Sequence, residues 1–282
     1  MSAAQEIVYE NNVLEAAREP GVESQVTLEE IWRGIEEDQF IPHYQPKVLL
    51  QGMKLAGVEA LIRWKHPARG VLSAGAFLPL IEDNFLFDEL TTLMLEKSVA
   101  QCRRWLDHGL DIPVSVNLSP DLLLDDGIAD RIEAKVREHG LTPHKLTIEV
   151  PEASVAHDIG HALETLVHLR VKGFGLSIDD FGTGHCDRAQ LERIPASELK
   201  IDRKMLAGAA RRPSVRAMLQ QSVDLARDLN MASVAEGIEN QEEWDLVNEL
   251  GCDMAQGYFI ARPMAGEALA EWNLFWTSDP FL

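Results

Sequence analysis

Eight polar side chains stand at or near the ends of short apolar runs, and several are of the types that bind metal ions. They comprise five carboxylates, two amides and one amine: Glu59, Glu149, Asp179, Asp180, Glu236, Asn117, Gln256 and Lys200. A single Asn or Asp after a strand is more often a helix cap or a turn residue than a ligand. If these runs are strands of one barrel, however, their ends share a rim where four or five negative charges meet. Positive charge must then compensate them.

Lys200 supplies one positive charge. Hard divalent cations, which prefer oxygen ligands, are the natural source of the positive charge that is still needed. The sequence has no His or Cys cluster of the kind that zinc prefers, so Mg²⁺ or Mn²⁺ is favoured. Two such ions that share a carboxylate activate water and stabilise the leaving oxygen of a phosphoryl group. We expect the shared carboxylate in the adjacent pair Asp179 and Asp180. This argument alone leaves open which phosphate ester is cut.

The elements that position these side chains follow an alternation of short apolar runs with longer amphipathic segments, typical of a parallel sheet covered by helices. We predict eight strands, at about residues 41–47, 54–62, 112–117, 145–150, 174–179, 197–201, 231–235 and 253–257. The first two are joined by too few residues for a helix, which indicates an antiparallel hairpin. The predicted fold is an α/β modified TIM (β/α)8 barrel with an antiparallel first strand, and its site lies at the rim.

Helix signals support this plan and mark its start. Thr27 followed by Glu30 is a capping box, which predicts a short helix through about Asp38. Helical spacing of apolar residues predicts further helices at Ile159, Leu163, Leu166 and Val167 before Gly173, and at Val215, Met218, Leu219, Ser222 and Ala226. Residues 1–26 are polar and aperiodic, so we predict a flexible arm or linker there and one barrel domain at residues 27–282.

Composition excludes several classes of protein. The formal net charge of −20 disfavours a nucleic-acid partner, because Lys and Arg supply most of the affinity for a polyanion. No apolar run reaches the roughly 18 residues that span a bilayer, and the first residues are too polar for a signal peptide. We therefore expect a cytoplasmic protein without a membrane segment. Its three scattered cysteines, Cys102, Cys186 and Cys252, are interpreted as reduced thiols.

Nine short motifs occur in an order and at spacings that suit one strand and one helix each. They are YQPK (44–47), GVEALIRWKHP (57–67), FLPLIE (77–82), VNLS (116–119), EVPE (149–152), DDFGTG (179–184), LKIDR (199–203), AEGIE (235–239) and QGYF (256–259). Through these motifs the chain resembles the EAL-domain cyclic di-GMP phosphodiesterases over roughly residues 30–275. The resemblance implies hydrolysis of cyclic di-GMP to linear pGpG in bacterial signalling, supported by two Mg²⁺ or Mn²⁺ ions and inhibited by Ca²⁺. It also implies a homodimer, and it leaves open an upstream sensory or receiver domain or partner.

The resemblance also assigns roles to individual residues. The implied ligands are Glu59, Asn117, Glu149 and Asp179 for one ion, and Asp179, Asp180 and Glu236 for the second. Lys200 would orient the attacking water, and the implied catalytic set is Lys200, Glu236, Glu59 and Glu152. The implied substrate contacts are Gln45, Leu61, Arg63, Pro79, Glu239 and Gln256, with Arg63 near a phosphate.

Glu152 has two alternative interpretations. Pro151 precedes it, so we expect the chain to leave the strand as a loop rather than as a helix. A carboxylate in such a loop is ordinarily a solvated residue. The resemblance implies instead that Glu152 lies just outside the metal ligands and anchors the loop that carries Asp180, through backbone N–H groups.

One departure from the family pattern follows the fifth predicted strand, where GTGYSSL is common and this chain has Gly182-Thr183-Gly184 followed by His185-Cys186-Asp187. The change bears on regulation and rate more than on the type of reaction. Two alternative functions stay open: a catalytically idle cyclic di-GMP receptor, and a different two-metal phosphoesterase on the same barrel. The intact set of predicted ligands argues against the first, and only the substrate motifs argue against the second.

Overall fold

Nine strands occur among the described residues, which are 26–84, 86–157, 159–184 and 186–278 of a computed structural model. They are β1 (Phe40–Leu49), β2 (Leu55–His66), β3 (Gly70–Ser73), β4 (Val114–Asn117), β5 (Leu146–Pro151), β6 (Gly175–Phe181), β7 (Glu198–Ile201), β8 (Ala232–Ala235) and β9 (Met254–Ala255). The predicted arm lies outside the described residues except for Val26, and so does His185. The division into an arm and a barrel domain therefore stays a prediction.

Pairing of the two ends of the sheet makes a closed barrel. The strands run in the order β1, β9, β8, β7, β6, β5, β4, β2 and β3, and β1 also pairs with β2. β1 is antiparallel to both β2 and β9, whereas the pairs from β2–β4 round to β8–β9 are parallel. The predicted α/β barrel with an antiparallel first strand is confirmed.

The helices of the described residues follow or precede the strands that they cover. They are α1 (Leu28–Glu36), α2 (Leu78–Asp83), α3 (Phe87–Asp107), α4 (Ile128–Glu138), α5 (Glu152–His157), α6 (Ile159–Lys172), α7 (Arg188–Leu191), α8 (Arg203–Leu206), α9 (Pro213–Asp228), α10 (Gln241–Glu249) and α11 (Leu269–Ser278). The capping box of α1 is present, because Thr27 accepts a hydrogen bond from the Glu30 N–H and Glu30 accepts one from the Thr27 N–H. None of these helices combines the length and the apolar character that crossing a bilayer requires.

The second strand is longer than predicted and is followed by a strand that was missed. β2 continues to His66 and turns back into β3, which pairs with it antiparallel. The extension is explained by Trp64, which is fully buried and stacks on Phe40 at 5.0 Å between ring centroids. A cluster of apolar contacts therefore holds the chain in a strand beyond the barrel wall. The helix predicted from Val215 to Ala226 is present as α9, on which Met218 is 56% exposed.

Alternation along the parallel strands separates an apolar outer layer from a polar interior. Val116, Ile148 and Leu199 are buried in a core shared with the covering helices. Their neighbours Ser115, Glu149 and Lys200 point the opposite way, into the barrel, because successive strand residues face opposite sides. The interior therefore contains the charged groups from which the site is built.

Candidate active site

The mouth of the barrel contains a cavity of about 470 Å³. Its charged lining comes from strand residues that include Glu59, Asp179 and Lys200, whereas Phe87, Leu90 and Met94 of α3 supply part of an apolar wall. A cavity with one charged floor and one apolar wall suits a ligand that has both polar and apolar parts.

Lys200 lies at the centre of the polar floor and is almost fully buried. Its Nζ atom lies within ion-pair distance of four carboxylates: Glu236 at 2.8 Å, Glu149 at 2.9 Å, Asp179 at 3.0 Å and Glu59 at 3.2 Å. Burial alone would lower the pKa of Lys200, but these carboxylates raise it well above its ordinary value. Among these carboxylates the lysine is therefore a charged hydrogen-bond donor.

Two groups of three carboxylates have oxygens close enough to hold a metal ion. Within each group the ligand atoms lie within 4.8 Å of one another. We call Glu59, Glu149 and Asp179 the first group, and Asp179, Asp180 and Glu236 the second group. Asn117 adjoins the first group, since its Nδ2 atom donates to Glu59 Oε1 at 3.1 Å. An all-oxygen set of this kind is the type that hard divalent cations prefer.

The two groups are the sets that the sequence suggested as ligands, and they share Asp179. The structure thus brings every predicted metal-ligating residue to one place, although binding roles stay predictions. One detail of position differs. Glu59 was expected late in the second strand, but β2 continues for seven residues beyond it. Only Val58 to Ala60 of β2 pair with β4, so the barrel wall ends near Glu59 although the strand does not.

The pKa values of these carboxylates show how strongly the site lacks positive charge. Burial, and then the neighbouring Glu149, raise the pKa of Glu59 to about 7. Burial likewise raises the pKa of Asp179, and those of Asp180 and Glu236 lie well above their ordinary values. Glu149 is the exception, because Lys200 and Lys47 outweigh its burial and lower its pKa to about 2. The positive charge of the Lys200 ammonium group is therefore too small to compensate the five carboxylates of the floor.

Glu152 is the first residue of α5 and is fully buried, so the expectation of a loop after Pro151 is wrong and the alternative of a solvated side chain does not hold. The proline ends β5 at a position where a helix can begin directly, since proline is restrictive within a helix but not just before one. The Glu152 carboxylate accepts hydrogen bonds from Gly182 N at 3.2 Å, Thr183 Oγ1 at 3.2 Å and Cys186 N at 2.6 Å. It therefore contacts the loop after β6, as the resemblance implied.

The end of β6, just before that loop, has unusual backbone geometry, with an irregularity in its pairing with β7 between Ile178 and Phe181. Asp180 has a φ of 60°, which few residues other than glycine adopt, and its N–H donates to Asp179 Oδ1 at 2.9 Å. Gly182 follows with a φ of 108°, and a Cβ there would lie 2.0 Å from Met205 Sδ. The tight turn after the two aspartates thus depends on a glycine and on the Glu152 anchor.

Four of the six predicted substrate contacts line the cavity: Gln45, Leu61, Glu239 and Gln256. Gln256 Nε2 donates to Glu59 Oε2 at 2.7 Å and to Gln45 Oε1 at 3.1 Å, so it joins the metal floor to the predicted substrate side. Arg63 and Pro79 do not line the cavity, although Leu78 beside Pro79 does. Their proposed contacts stay predictions.

Two features of the site were not anticipated from the sequence. Lys47 is buried inside the barrel and forms an ion pair with Glu149. Strand alternation was the available signal, because Lys47 lies two residues after Gln45 and faces the same interior. Arg203 forms an ion pair with Glu239 at 2.9 Å at the edge of the cavity, and no pattern in the sequence indicated that pair.

The chain is similar to proteins of one known family. The profile of the EAL domain family matches residues 28–263, which is most of the chain. This chain belongs to the EAL domain family. It is 39% identical over 243 residues to the bifunctional diguanylate cyclase/cyclic di-GMP phosphodiesterase MucR of Pseudomonas aeruginosa, covering 86% of this chain and 36% of that protein. It is 36% identical over 238 residues to the cyclic di-GMP phosphodiesterase RocR of the same organism, covering 84% of this chain and 61% of that protein.

Solved structures of EAL domains have the same fold. The PaMucR phosphodiesterase in complex with c-di-GMP superposes with a TM-score of 0.82 at 39% identity, over 86% of this chain and 98% of that one. An EAL domain protein from Listeria monocytogenes EGD-e superposes with a TM-score of 0.77 at 26% identity, over 88% and 98%. This chain spans between about a third and three fifths of the two curated relatives, so the similarity concerns their EAL domains.

Proposed function

We propose that this EAL domain is a divalent-metal-dependent phosphodiesterase that hydrolyses cyclic di-GMP to linear pGpG. The observation that carries the proposal is the charge of the floor. Five carboxylates in two groups surround one ammonium group, a formal charge of −4 that two divalent cations would cancel. The names of the relatives, which include cyclic di-GMP phosphodiesterases, support the choice of substrate.

Bound divalent ions would supply an acidified water and charge stabilisation for the leaving oxygen. The first group and Asn117 would hold one ion, and the second group the other. The cation-free floor would repel a cyclic dinucleotide with two phosphates, so we expect substrate binding and turnover to require the same ions.

The protein's own side chains would orient the reaction. Lys200 keeps its proton and would hold the attacking water by donating a hydrogen bond to its oxygen. Gln256 and Gln45 form a hydrogen-bonded pair beside Glu59, where their amides would fix one side of the dinucleotide. The Glu239 carboxylate lines the cavity and would accept hydrogen bonds from a guanine edge, which matches a guanine-containing substrate.

Several finer points belong to the same proposal. We expect Mg²⁺ or Mn²⁺ to support turnover and Ca²⁺ to support binding without turnover, because Ca²⁺ is larger and accepts irregular coordination. We also propose a homodimer in the cytoplasm, with residues 1–26 either as a flexible arm or as a linker to an upstream sensory or receiver domain or partner. The metal preferences and the homodimer rest on the family resemblance, whereas the location and the arm rest on the composition of the sequence.

Incubation of the purified protein with cyclic di-GMP and Mn²⁺, followed by chromatographic identification of products, tests the proposal. The expected product is linear pGpG, formed with Mg²⁺ or Mn²⁺ and absent with EDTA. Binding without any product would favour the receptor function instead. Cleavage of other phosphodiesters with no action on cyclic di-GMP would favour a different two-metal phosphoesterase.

A further inference from the structure

A second polar layer lies inside the barrel, one step below the floor. It consists of four side chains: Lys47, Ser115, Ser177 and Glu198, none more than 9% exposed. The last three lie two residues before Asn117, Asp179 and Lys200, and a spacing of two residues on a strand keeps side chains on the same face. The layer is therefore continuous with the floor.

Lys47 connects this layer to the floor through one carboxylate. Its Nζ atom lies 2.6 Å from Glu198 Oε1, 2.8 Å from Ser115 Oγ and 3.4 Å from Glu149 Oε1. Burial alone would lower the pKa of Lys47, but Glu198 and then Glu149 raise it, so the ammonium group stays charged. Ser177 Oγ donates to Glu198 Oε1 at 3.0 Å from the other side.

The two oxygens of Glu149 consequently face different cations. Oε1 points down to Lys47, whereas Oε2 points up to Lys200 at 2.9 Å, among the other carboxylates of the first group. The carboxylate is thus held from below in one orientation.

A buried ion pair is a weak source of stability, because desolvation of both charges offsets most of their attraction. Stability alone therefore does not account for Lys47 and Glu198 in the interior. Their formal charges cancel each other, so together they leave the charge of the floor unchanged. What the pair adds to the floor is a fixed donor beneath Glu149.

We propose that Lys47, seated by Glu198 and Ser115, is a positioning residue that holds the inner oxygen of Glu149 and thereby directs its outer oxygen to the ion of the first group. The inference rests on the proposed function, in which Glu149 is a metal ligand. Partners that orient a ligand in this way are worth roughly 10- to 100-fold in metal affinity. Lys47 acts through Glu149 and touches neither the ion nor the substrate.

The double variant Lys47→Met/Glu198→Gln tests this at constant net charge. We expect calorimetric titration of the metal-free protein with Mn²⁺ to show the first ion bound roughly 10-fold more weakly and the second unchanged. At saturating Mn²⁺ the KM for cyclic di-GMP should match that of the wild type and kcat should recover most of its value. A purely structural role would lower the melting temperature without this selective loss of affinity.

A matched pair of serine variants gives the same test with a minimal change of volume. Ser115→Ala removes a hydroxyl that contacts Lys47, whereas Ser177→Ala removes one that contacts Glu198. We expect Ser115→Ala to lower the affinity of the first group for Mn²⁺ by roughly 3- to 10-fold, which corresponds to the net free energy of one hydrogen bond. Ser177→Ala should leave this affinity unchanged. This pair decides the question if the double variant does not fold.

Equal Mn²⁺ affinities in Ser115→Ala, Ser177→Ala and wild type, or a wild-type affinity in the double variant, would overturn the positioning role. The wild-type titration separates this failure from failure of the proposed function. Wild-type protein that binds no Mn²⁺ would contradict the two-metal site itself, whereas wild-type binding with unaffected variants would contradict only the role of Lys47.

Discussion

The two carboxylate groups of the floor differ in what holds them. Glu59 and Glu149 of the first group lie inside strands, are at most 5% exposed and stand on paired backbone. In the second group Asp180 has left-handed backbone geometry at an irregularity in the pairing of β6 with β7, and Glu236 is the first residue after β8. Regular strand pairing therefore positions most of the first group, whereas an irregular strand end and a residue beyond a strand position most of the second.

This difference indicates where support is needed. The backbone of a residue on a hydrogen-bonded ladder is held by the ladder, whereas loops open at lower free energy. The Glu152 anchor accordingly contacts the backbone of the loop that follows β6, whereas at Glu149 the ladder holds the backbone and only the side chain is oriented by other groups. We infer that the first group is formed in the absence of metal and that the second depends on its loop.

The largest expected effect is at Asp179, which both groups share. Asp179→Ala should remove a ligand from each ion and lower turnover by at least about 100-fold, as for loss of other groups that stabilise charge at a reacting centre. Glu59→Ala should also abolish measurable hydrolysis but leave the second group complete. Steady-state assays with Glu271→Ala, an exposed carboxylate on α11, as control would check this. Near-normal turnover in either site variant would contradict the two-metal interpretation.

Lys200 contacts members of both groups, so its loss should affect them equally. We expect Lys200→Ala to keep most Mn²⁺ binding and to lose roughly 100-fold in kcat, because the donor for the attacking water is gone. Separate measurement of kcat, KM and metal stoichiometry checks the prediction. A large rise in KM with unchanged kcat would reassign Lys200 to substrate binding.

Substitution of Glu152 should affect the second group and spare the first. Glu152→Gln should fold, keep the ion of the first group, and lose roughly 10- to 100-fold in activity through poor binding at the second. Cys186→Ala is the matched control, since it keeps the backbone N–H that donates to Glu152 and should retain near-normal turnover. Wild-type stoichiometry and turnover in Glu152→Gln would show that the loop needs no anchor.

The smallest expected effect is a pH dependence of stability that Glu59 of the first group causes when no metal is bound. Because the pKa of Glu59 is about 7 in the fold and near 4.5 when unperturbed, the folded state binds more protons between those values. The contribution of Glu59 to the free energy of unfolding is therefore fully present below about pH 4.5 and is lost as the pH rises to about 7.

Glu59→Gln should remove this loss, so in EDTA its advantage in unfolding free energy over wild type should grow from pH 5 to pH 8. The expected size is on the order of 1–3 kcal/mol. Urea denaturation at both pH values measures it. An advantage that is the same at both values would show that Glu59 is ionised throughout.

Residues on regular strands were the ones that the sequence predicted best. Glu149 and Asp179 could be assigned to a shared rim because a parallel barrel brings the ends of its strands together. Glu152 was misplaced, since a proline that ends a strand does not by itself distinguish a loop from the start of a helix. Lys47 was missed because strand periodicity predicts which face a side chain occupies but not which partner from a distant strand it meets. β3 was missed because its stability comes from burial of Trp64 and not from its own short sequence.

The most direct test of the account is anomalous scattering from crystals of the wild-type protein grown with Mn²⁺. We expect two peaks about 3.5–4 Å apart on either side of Asp179, with the peak at Glu59 and Glu149 at full occupancy and that at Asp180 and Glu236 equal or weaker. In crystals of Glu152→Gln only the second peak should fall. A single peak in the wild-type crystals, or peaks away from Asp179, would contradict the two-group site.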